Sequence, residues 1–303
     1  MRKYLFILNP FAGPGKKKND LIDLIDHYLA PTGYGYEFAF TVKAGDATRV
    51  ARQAVEEGFN IVVAIGGDGT VNEVAGGLIN SEGQLGIIPM GSGNGIARSL
   101  KIPLSTQESI EFLLAPKVLT IDVGRANHKH FIGVSGLGFD ALIGHKFQKF
   151  GLRGPFPYFF IGLNEFSKYR PQKYILELEG AQFEKEALII VFANTRQYGN
   201  GAIIAPEADP SDGYIDICIL EPLSYLQATH HVSLLFRGTI NKSHLYFHKK
   251  CKSVKVHTEN SLMYLHRDGE PDEPTRSLEV KIIEQALKVC SPKNLLPRST
   301  RNT

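Results

Sequence analysis

Cysteine is scarce and scattered. The 303-residue chain holds three, Cys218, Cys251 and Cys290, and no CxxC spacing. That argues against a disulfide framework or a zinc site and fits a reducing compartment. Its ten histidines form no HExxH or Cys/His pattern, so packed or solvated histidine is the default. Long apolar runs are also missing: none reaches the roughly 18 residues of a spanning helix. The apolar start, Tyr4–Leu8, runs into Asn9-Pro10 with no small-residue cleavage site, so it reads as a strand rather than a signal peptide. Charge of one sign is not in excess. Lys and Arg number 34 against 31 Asp and Glu, a net charge of +3. That balance is too weak to imply nucleic acid, but it suits an anionic small molecule or membrane surface. Repeats and low-complexity stretches are absent. Hydrophobic residues at 43% and charged residues at 21% are ordinary globular usage, so disorder is not expected. The length suits one large domain or two modest ones.

Strand and helix signals alternate at first. Lys3–Leu8, Tyr36–Val42, Asn60–Ile65 and Gln84–Ile88 read as strands, and Asn19–Leu29, Asp46–Gly58, Val71–Ile79 and Gly95–Leu100 as helices. This order predicts a parallel sheet with helices on both faces. After about Asp122 the runs become β-like: Leu119–Arg125, His130–Gly133, Tyr174–Leu178, Glu186–Asn194, Tyr214–Leu220, Ser253–His257 and Leu278–Ile283. Two helix-like stretches interrupt them, Phe156–Tyr169 and Ser224–Arg237. The expectation is an α/β domain over residues 1–123, completed by 286–303, and a mostly antiparallel β-sandwich over 124–285.

The strongest local signal is Ile65-Gly66-Gly67-Asp68-Gly69-Thr70-Val71-Asn72-Glu73-Val74. Glycines at the end of a buried strand let the backbone approach a phosphate, and the next helix aims its N–H groups at the same place. Asp68 and Thr70 suit a metal-bound water or a phosphate oxygen. The alternative is a simple Gly/Asp turn, but its place at the carboxyl end of a parallel strand is where open α/β sheets bind ligands. Two more glycine turns follow strands: Asn9-Pro10-Phe11-Ala12-Gly13 and Pro89-Met90-Gly91-Ser92-Gly93-Asn94-Gly95. The spacings match neither a Walker loop nor the dinucleotide fingerprint.

Together the three loops resemble the diacylglycerol kinase catalytic family, which includes sphingosine and ceramide kinases. The resemblance continues through Gly136-Leu137-Gly138-Phe139-Asp140-Ala141, Ala193-Asn194, Tyr198-Gly199-Asn200-Gly201, Pro206, Ala208, Asp212-Gly213, Asp216 and Asp268-Gly269-Glu270. It covers essentially the whole chain. It implies an N-terminal domain like that of NAD kinases and phosphofructokinases, a β-sandwich, and ATP between them. The implied nucleotide residues are Asn9, Pro10, Phe11, Ala12, Gly13, Thr41, Gly66, Gly67, Asp68, Gly69, Thr70, Asn72, Glu73 and Ser92. Asp268 matches the catalytic base, with Glu270 beside it, and Asp68 is counted with them as a catalytic residue. A structural Mg²⁺ is implied at the Asp209 and Asp212 carboxylates and the Tyr214 carbonyl.

These assignments compete with plainer ones. Asp268-Gly269 is a common hairpin pair, and Asp209-Pro210-Ser211-Asp212-Gly213 is good turn chemistry in its own right. His266-Arg267-Asp268 mimics a protein-kinase catalytic loop, but no Asn follows at the required spacing and no DFG is present. The stretch from His145 to Phe160 interleaves cations and aromatics, which suits either a membrane interface or a helix packed on the core. Gly95 stands where diacylglycerol kinases usually carry an acid, so the third loop is closer to the sphingosine-kinase form. The expected protein is an ATP- and Mg²⁺-dependent lipid kinase, cytoplasmic and peripheral at the inner membrane face. Its expected partners are a membrane lipid substrate and a possible second copy, without nucleic acid. The rival readings are an NAD-kinase-like enzyme and a non-catalytic lipid- or nucleotide-binding regulator.

Overall fold

The computed structural model describes residues 2–10, 18–150, 162, 165–259 and 261–292, with the backbone alone at 147–150. The chain forms two compact units: residues up to Ile121 together with those from Glu284, and Asp122–Ile283.

The first unit alternates strand and helix: β1 (Lys3–Leu8), α1 (Lys18–Leu29), β2 (Gly35–Phe40), α2 (Asp46–Glu56), β3 (Ile61–Gly66), α3 (Asp68–Leu78), β4 (Gln84–Pro89), α4 (Gly95–Ser99) and α5 (Thr106–Leu113). Its strands lie in the order β2-β1-β3-β4, all parallel. β3, and β1 after Lys3, are apolar because both faces of the sheet are covered. On one face Tyr4, Phe6, Val63 and Ile65 pack with Leu21, Ile25 and Leu29 of α1. The last part of β18 (Ser277–Ser291) returns to this unit, where Lys288 and Val289 pair in parallel with Gln84 and Leu85. Helix α5 was not read from the sequence. Its eight residues bury only Ser109, Ile110 and Leu113, too few for a periodic signal.

The second unit is a sandwich of two antiparallel sheets. One has the order β14-β13-β10-β7-β16-β17, formed by Tyr246–Cys251, Ile215–Leu220, Ile189–Ala193, Val134–Gly138, Met263–Arg267 and Glu270–Thr275. The other runs β9-β8-β15, from Ala181–Ala187 through Gln172–Leu178 and Ser253–His257, and continues to the first part of β18. Strand β5 (Lys117–Ala126) pairs with β18 and with β6 (Lys129–Phe131). Between the sheets pack Leu137, Ile190, Phe192 and Ile217 against Tyr174, Leu176, Val256 and Val280. Helix α6 (Phe139–Phe150) follows β7, and α7 (Tyr225–Arg237) follows β13. None of the described helices is long and apolar enough to cross a membrane.

The single strand expected at Glu186–Asn194 is two. β9 ends at Ala187 and β10 begins at Ile189, and they join different sheets. Only Glu186 and Ala187 of that run belong to β9, and burial is unbroken from Ala187 to Asn194, so a continuous apolar run cannot mark the crossing. Strands β14, β16 and β17 were also missed. Their charges, and the two prolines of Glu270–Thr275, mask alternation.

Candidate active site

In the first unit β2 and β3 flank β1 on opposite sides. The connections after β1 and β3 therefore diverge, and the carboxyl ends of these strands form the crevice where α/β sheets take ligands. Asn9 leaves β1 there, donating its backbone N–H to the Ile65 carbonyl at 3.2 Å and its side-chain amide to Thr70 Oγ1 at 3.4 Å. Pro10 follows it and is exposed. Gly66 can be nothing larger: a Cβ there would lie 2.4 Å from Thr70 Oγ1. The second and third loops meet backbone to backbone. A Cβ on Gly91 would fall 2.6 Å from Gly67 Cα, and the Met90 N–H donates to the Gly66 carbonyl at 2.8 Å.

Gly67 is the N-cap of α3 and contributes no side-chain cap to the first-turn N–H groups. A helix start of this kind suits an anionic oxygen. Gly69 and Thr70 lie in that turn, Asn72 follows on the same helix, and Ser92 is exposed in the neighbouring loop. Asp68 clamps the two loops together. Its carboxylate accepts the N–H groups of Gly95 and Ile96, both at 3.0 Å. Burial pushes its carboxyl above the usual range, while those N–H groups and the Arg98 charge pull the other way. The position expected to be catalytic thus orders the third loop.

Glu73 sits apart from this cluster: its carboxylate accepts the Ala47 N–H at 3.2 Å, in the first turn of α2. Thr41 is buried after β2 and donates its N–H to the Leu8 carbonyl. Phe11, Ala12 and Gly13 lie outside the described residues. Two residues had been overlooked. Asn94, in the left-handed region at φ 49°, accepts the Gly91 N–H at 2.9 Å and donates to the Gly91 carbonyl at 2.8 Å. Arg98 Nε donates to the Gly93 carbonyl at 3.1 Å. A short amide amid glycines was the available signal, since Asn tolerates that backbone and bonds locally.

In the second unit the motif residues converge on one corner, Ile132–Val134. Asp268, at φ 47° in the turn between β16 and β17, grips it from one side. Its Oδ2 accepts the Ile132 N–H at 2.8 Å, and Oδ1 accepts those of Gly133 at 2.8 Å and Val134 at 2.9 Å. Asn194 grips the same corner through its carbonyls. Its amide donates to Ile132 at 2.9 Å and to Asp122 at 2.8 Å. Glu270 opens β17 and is exposed. Below this corner Asp140 Oδ2 meets His266 Nε2 and the Tyr198 hydroxyl, each at 3.0 Å. Gly136 leaves room for that group, because a Cβ there would lie 2.4 Å from His266 Nε2. His266, set aside as a kinase mimic, is thus a buried partner of Asp140. In the basic and aromatic stretch after it, the His145 ring lies against Tyr264 and Lys146 pairs with Glu165. Side chains from Phe147 to Phe150, and all of 151–160, lie outside the described residues.

The Asp209 and Asp212 carboxylates and the Tyr214 carbonyl are oxygen donors of the kind a divalent ion takes, and in this structure both carboxylates are engaged by neighbouring groups of the chain. Asp209 Oδ1 accepts both the N–H and the hydroxyl of Ser211, at 3.0 and 2.7 Å. Asp212 accepts the Tyr214 N–H and pairs with the Lys250 ammonium. Lys250 also lies 3.7 Å from Asp216 Oδ2 and donates to the Glu207 carbonyl at 3.3 Å. Burial alone would lower the Lys250 pKa, yet Asp212, Asp216 and Asp209 hold it above its ordinary value. Buried Asp122, also overlooked, accepts the Gly213 N–H at 2.7 Å. The loop is thus tied by a lysine and an aspartate. No cluster of three metal-ligating acids, histidines or cysteines occurs among the described residues.

Residues 3–126 match the model of the diacylglycerol kinase catalytic domain, and residues 133–291 that of the YegS C-terminal NAD kinase beta sandwich-like domain. A diacylglycerol kinase of Staphylococcus saprophyticus is 30% identical over 275 residues, covering 89% of this chain and 90% of the relative. The chain belongs to the diacylglycerol kinase family. That family is a class of lipid-kinase phosphotransferases. A diacylglycerol kinase of Staphylococcus aureus is 29% identical over 275 residues, covering 89% of this chain and 87% of its own. Among solved structures, a diacylglycerol kinase of Bacillus anthracis superposes with a TM-score of 0.74 at 22% identity, covering 97% of this chain and 98% of that one. Yeast NADH kinase superposes with a TM-score of 0.52 at 11% identity, covering 96% and 83%. Both likenesses concern the fold: an α/β unit and a β-sandwich, as NAD kinases have.

Proposed function

We propose that this diacylglycerol kinase family member transfers the γ-phosphoryl group of ATP to the free hydroxyl of diacylglycerol, giving phosphatidic acid and ADP. The observation that carries the reading is the double glycine cradle, Gly66-Gly67 against Gly91, beside the start of α3. Phosphoryl transfer demands positioning and charge neutralisation more than covalent chemistry, and such a cradle serves the phosphate chain. Asn9, Gly69 and Thr70 line that end of the sheet. Asp68, Asn94 and Arg98 hold the third loop in register.

The lipid hydroxyl attacks the γ-phosphorus as the bond to the ADP oxygen breaks, and its proton passes to a carboxylate. Asp268 is the assigned acceptor, with Glu270 next to it. Three backbone N–H donors orient the Asp268 carboxylate, matching the acceptor-only chemistry of its ionised form. ATP is supplied as its Mg²⁺ complex. No step is assigned to the Asp209–Tyr214 loop.

The test is transfer from γ-labelled ATP and Mg²⁺ to mixed micelles of diacylglycerol, monoacylglycerol, sphingosine or ceramide, with NAD⁺ as the soluble acceptor. Label in diacylglycerol that disappears in Asp268→Asn is expected. Label in sphingosine or ceramide would reassign the lipid, as the Gly91–Gly95 loop suggests. Label in NAD⁺ alone would overturn the lipid reading. ATP binding without transfer to any acceptor would leave a regulator.

A further inference from the structure

Helix α7 is apolar on two sides. Leu235 packs onto the apolar face that includes Val191, Cys218 and Leu220. His231 is buried beside it, its ring nitrogens meeting the Gln227 carbonyl and Ser243 Oγ, both at 2.7 Å. The other side carries Leu226 at 81% exposure, Phe236 at 58%, Tyr225 at 55% and Val232 at 41%. At 3.6 residues per turn, Tyr225, Val232 and Phe236 fall within about 40° of one another, and Leu226 flanks them. The helix is firmly anchored. Ser224 and Gln227 form a capping box at its start, and Gly238 closes its end in the left-handed region. Its outer stripe is therefore a fixed feature of the surface, and a stripe of this kind marks an interaction site.

Charge bears on what covers it, although exposed Glu207 accepts from the Asn241 amide beside Lys242 at 3.3 Å. From Pro222 to Thr258 the sequence contains no Asp or Glu. Arg237 closes the helix, Lys242 lies in the turn that follows, and both are exposed. We propose that the Tyr225–Phe236 stripe of α7, with Arg237 and Lys242, is a docking face for an anionic lipid bilayer. An interfacial helix lies flat, sinking its apolar side chains into the headgroup boundary with cations beside anionic lipid. A two-fold contact with a second copy would double the cations of this stretch within one interface, with no acid from Pro222–Thr258 to offset them. The choice of bilayer rests on the lipid-kinase reading, because a lipid acceptor must be met at a membrane. It places membrane contact on α7, distinct from the His145–Phe160 stretch suggested by the sequence.

The test is co-sedimentation of the full chain with phosphatidylcholine vesicles, with and without phosphatidylglycerol. Two variants are compared, Leu226→Gln/Val232→Gln/Phe236→Gln and Arg237→Gln/Lys242→Gln. Thermal midpoints check that both fold. Wild type should bind the anionic vesicles, and the triple variant should lose about tenfold or more of its partitioning. The double variant should lose the preference for phosphatidylglycerol. Turnover of a short-chain, water-dispersed diacylglycerol should stay unchanged in both variants. Unaltered vesicle binding by the triple variant would overturn the proposal. So would a wild-type dimer on size exclusion that the triple variant abolishes, since a second copy would then cover the stripe. If wild type fails to phosphorylate the short-chain acceptor yet binds vesicles through α7, the docking face stands and the kinase reading falls.

Discussion

Asp268 carries a structural load and an assigned chemical one, and two substitutions separate them. Asp268→Asn turns an amide toward three backbone donors, so it should cost about 2 kcal/mol of stability as well as abolish transfer. Glu270→Gln, at an exposed position, should leave the thermal midpoint within roughly 1 °C. If Glu270→Gln alone stops transfer at an unchanged midpoint, Glu270 is the proton acceptor and Asp268 positions the turn. Lys250 invites a different measurement. Its ammonium ties a loop that resemblance assigns to Mg²⁺, so chelation with EDTA should not shift the wild-type midpoint. Lys250→Met removes the cation between Asp212 and Asp216. The variant should melt lower and be partly rescued by millimolar Mg²⁺ or Ca²⁺. A wild-type midpoint that falls in EDTA would restore the metal to that loop. Nothing local in Asp209–Tyr214 distinguishes these cases. Lys250 lies far along the chain, and only the β13–β14 pairing, which sets Asp216 opposite Lys250, brings it there.

The glycine loops act through the elements they terminate. Gly91→Ala would press a methyl against the Gly67 backbone and part β3 from β4 at their carboxyl ends. ATP affinity, measured by calorimetry, should fall at least about tenfold. The link between α3 and α4 is pH-dependent. Burial raises the Asp68 carboxyl above its ordinary 3.8, so the folded chain holds this proton more tightly than the unfolded chain. The contribution is therefore fully present below the unfolded value and is lost as pH rises through the folded one. Relative to Asp68→Asn, wild type should lose stability as pH climbs above 3.8. Midpoints of both proteins across the acidic range check this, and a difference that grows with pH in favour of wild type would refute it. The elements themselves were legible where periodicity was strong: β1, β3 and β4 as apolar runs leading into turns rich in glycine or proline, α1 and α2 as amphipathic stripes. The split at Leu188 and the strands at Tyr246–Cys251, Met263–Arg267 and Glu270–Thr275 were not. Edge position, charge and proline hide a strand that long-range pairing stabilises.

At the scale of the whole molecule, the first unit depends on the chain's return. Leu287, Val289 and Cys290 are buried in it, and β18 lies against β4. Truncation after Ile283 should expose the outer edge of β4 and abolish ATP binding, as fluorescence titration of the truncated chain would show. Retained affinity would make the last strand dispensable. From the sequence alone came the α/β order, the change to β texture near Asp122, the three glycine turns and the family that their order resembles. Those are local in origin: periodicity and turn chemistry are written in consecutive residues. The tertiary structure alone decided the partners. It set Asp68 on the start of α4, closed Asp268 and Asn194 on the Ile132–Val134 corner, paired His266 with Asp140 and placed Lys250 among the acids of the Asp209–Asp216 segment. Each of these joins residues remote in sequence, and a side chain's role is set by the groups that folding brings against it.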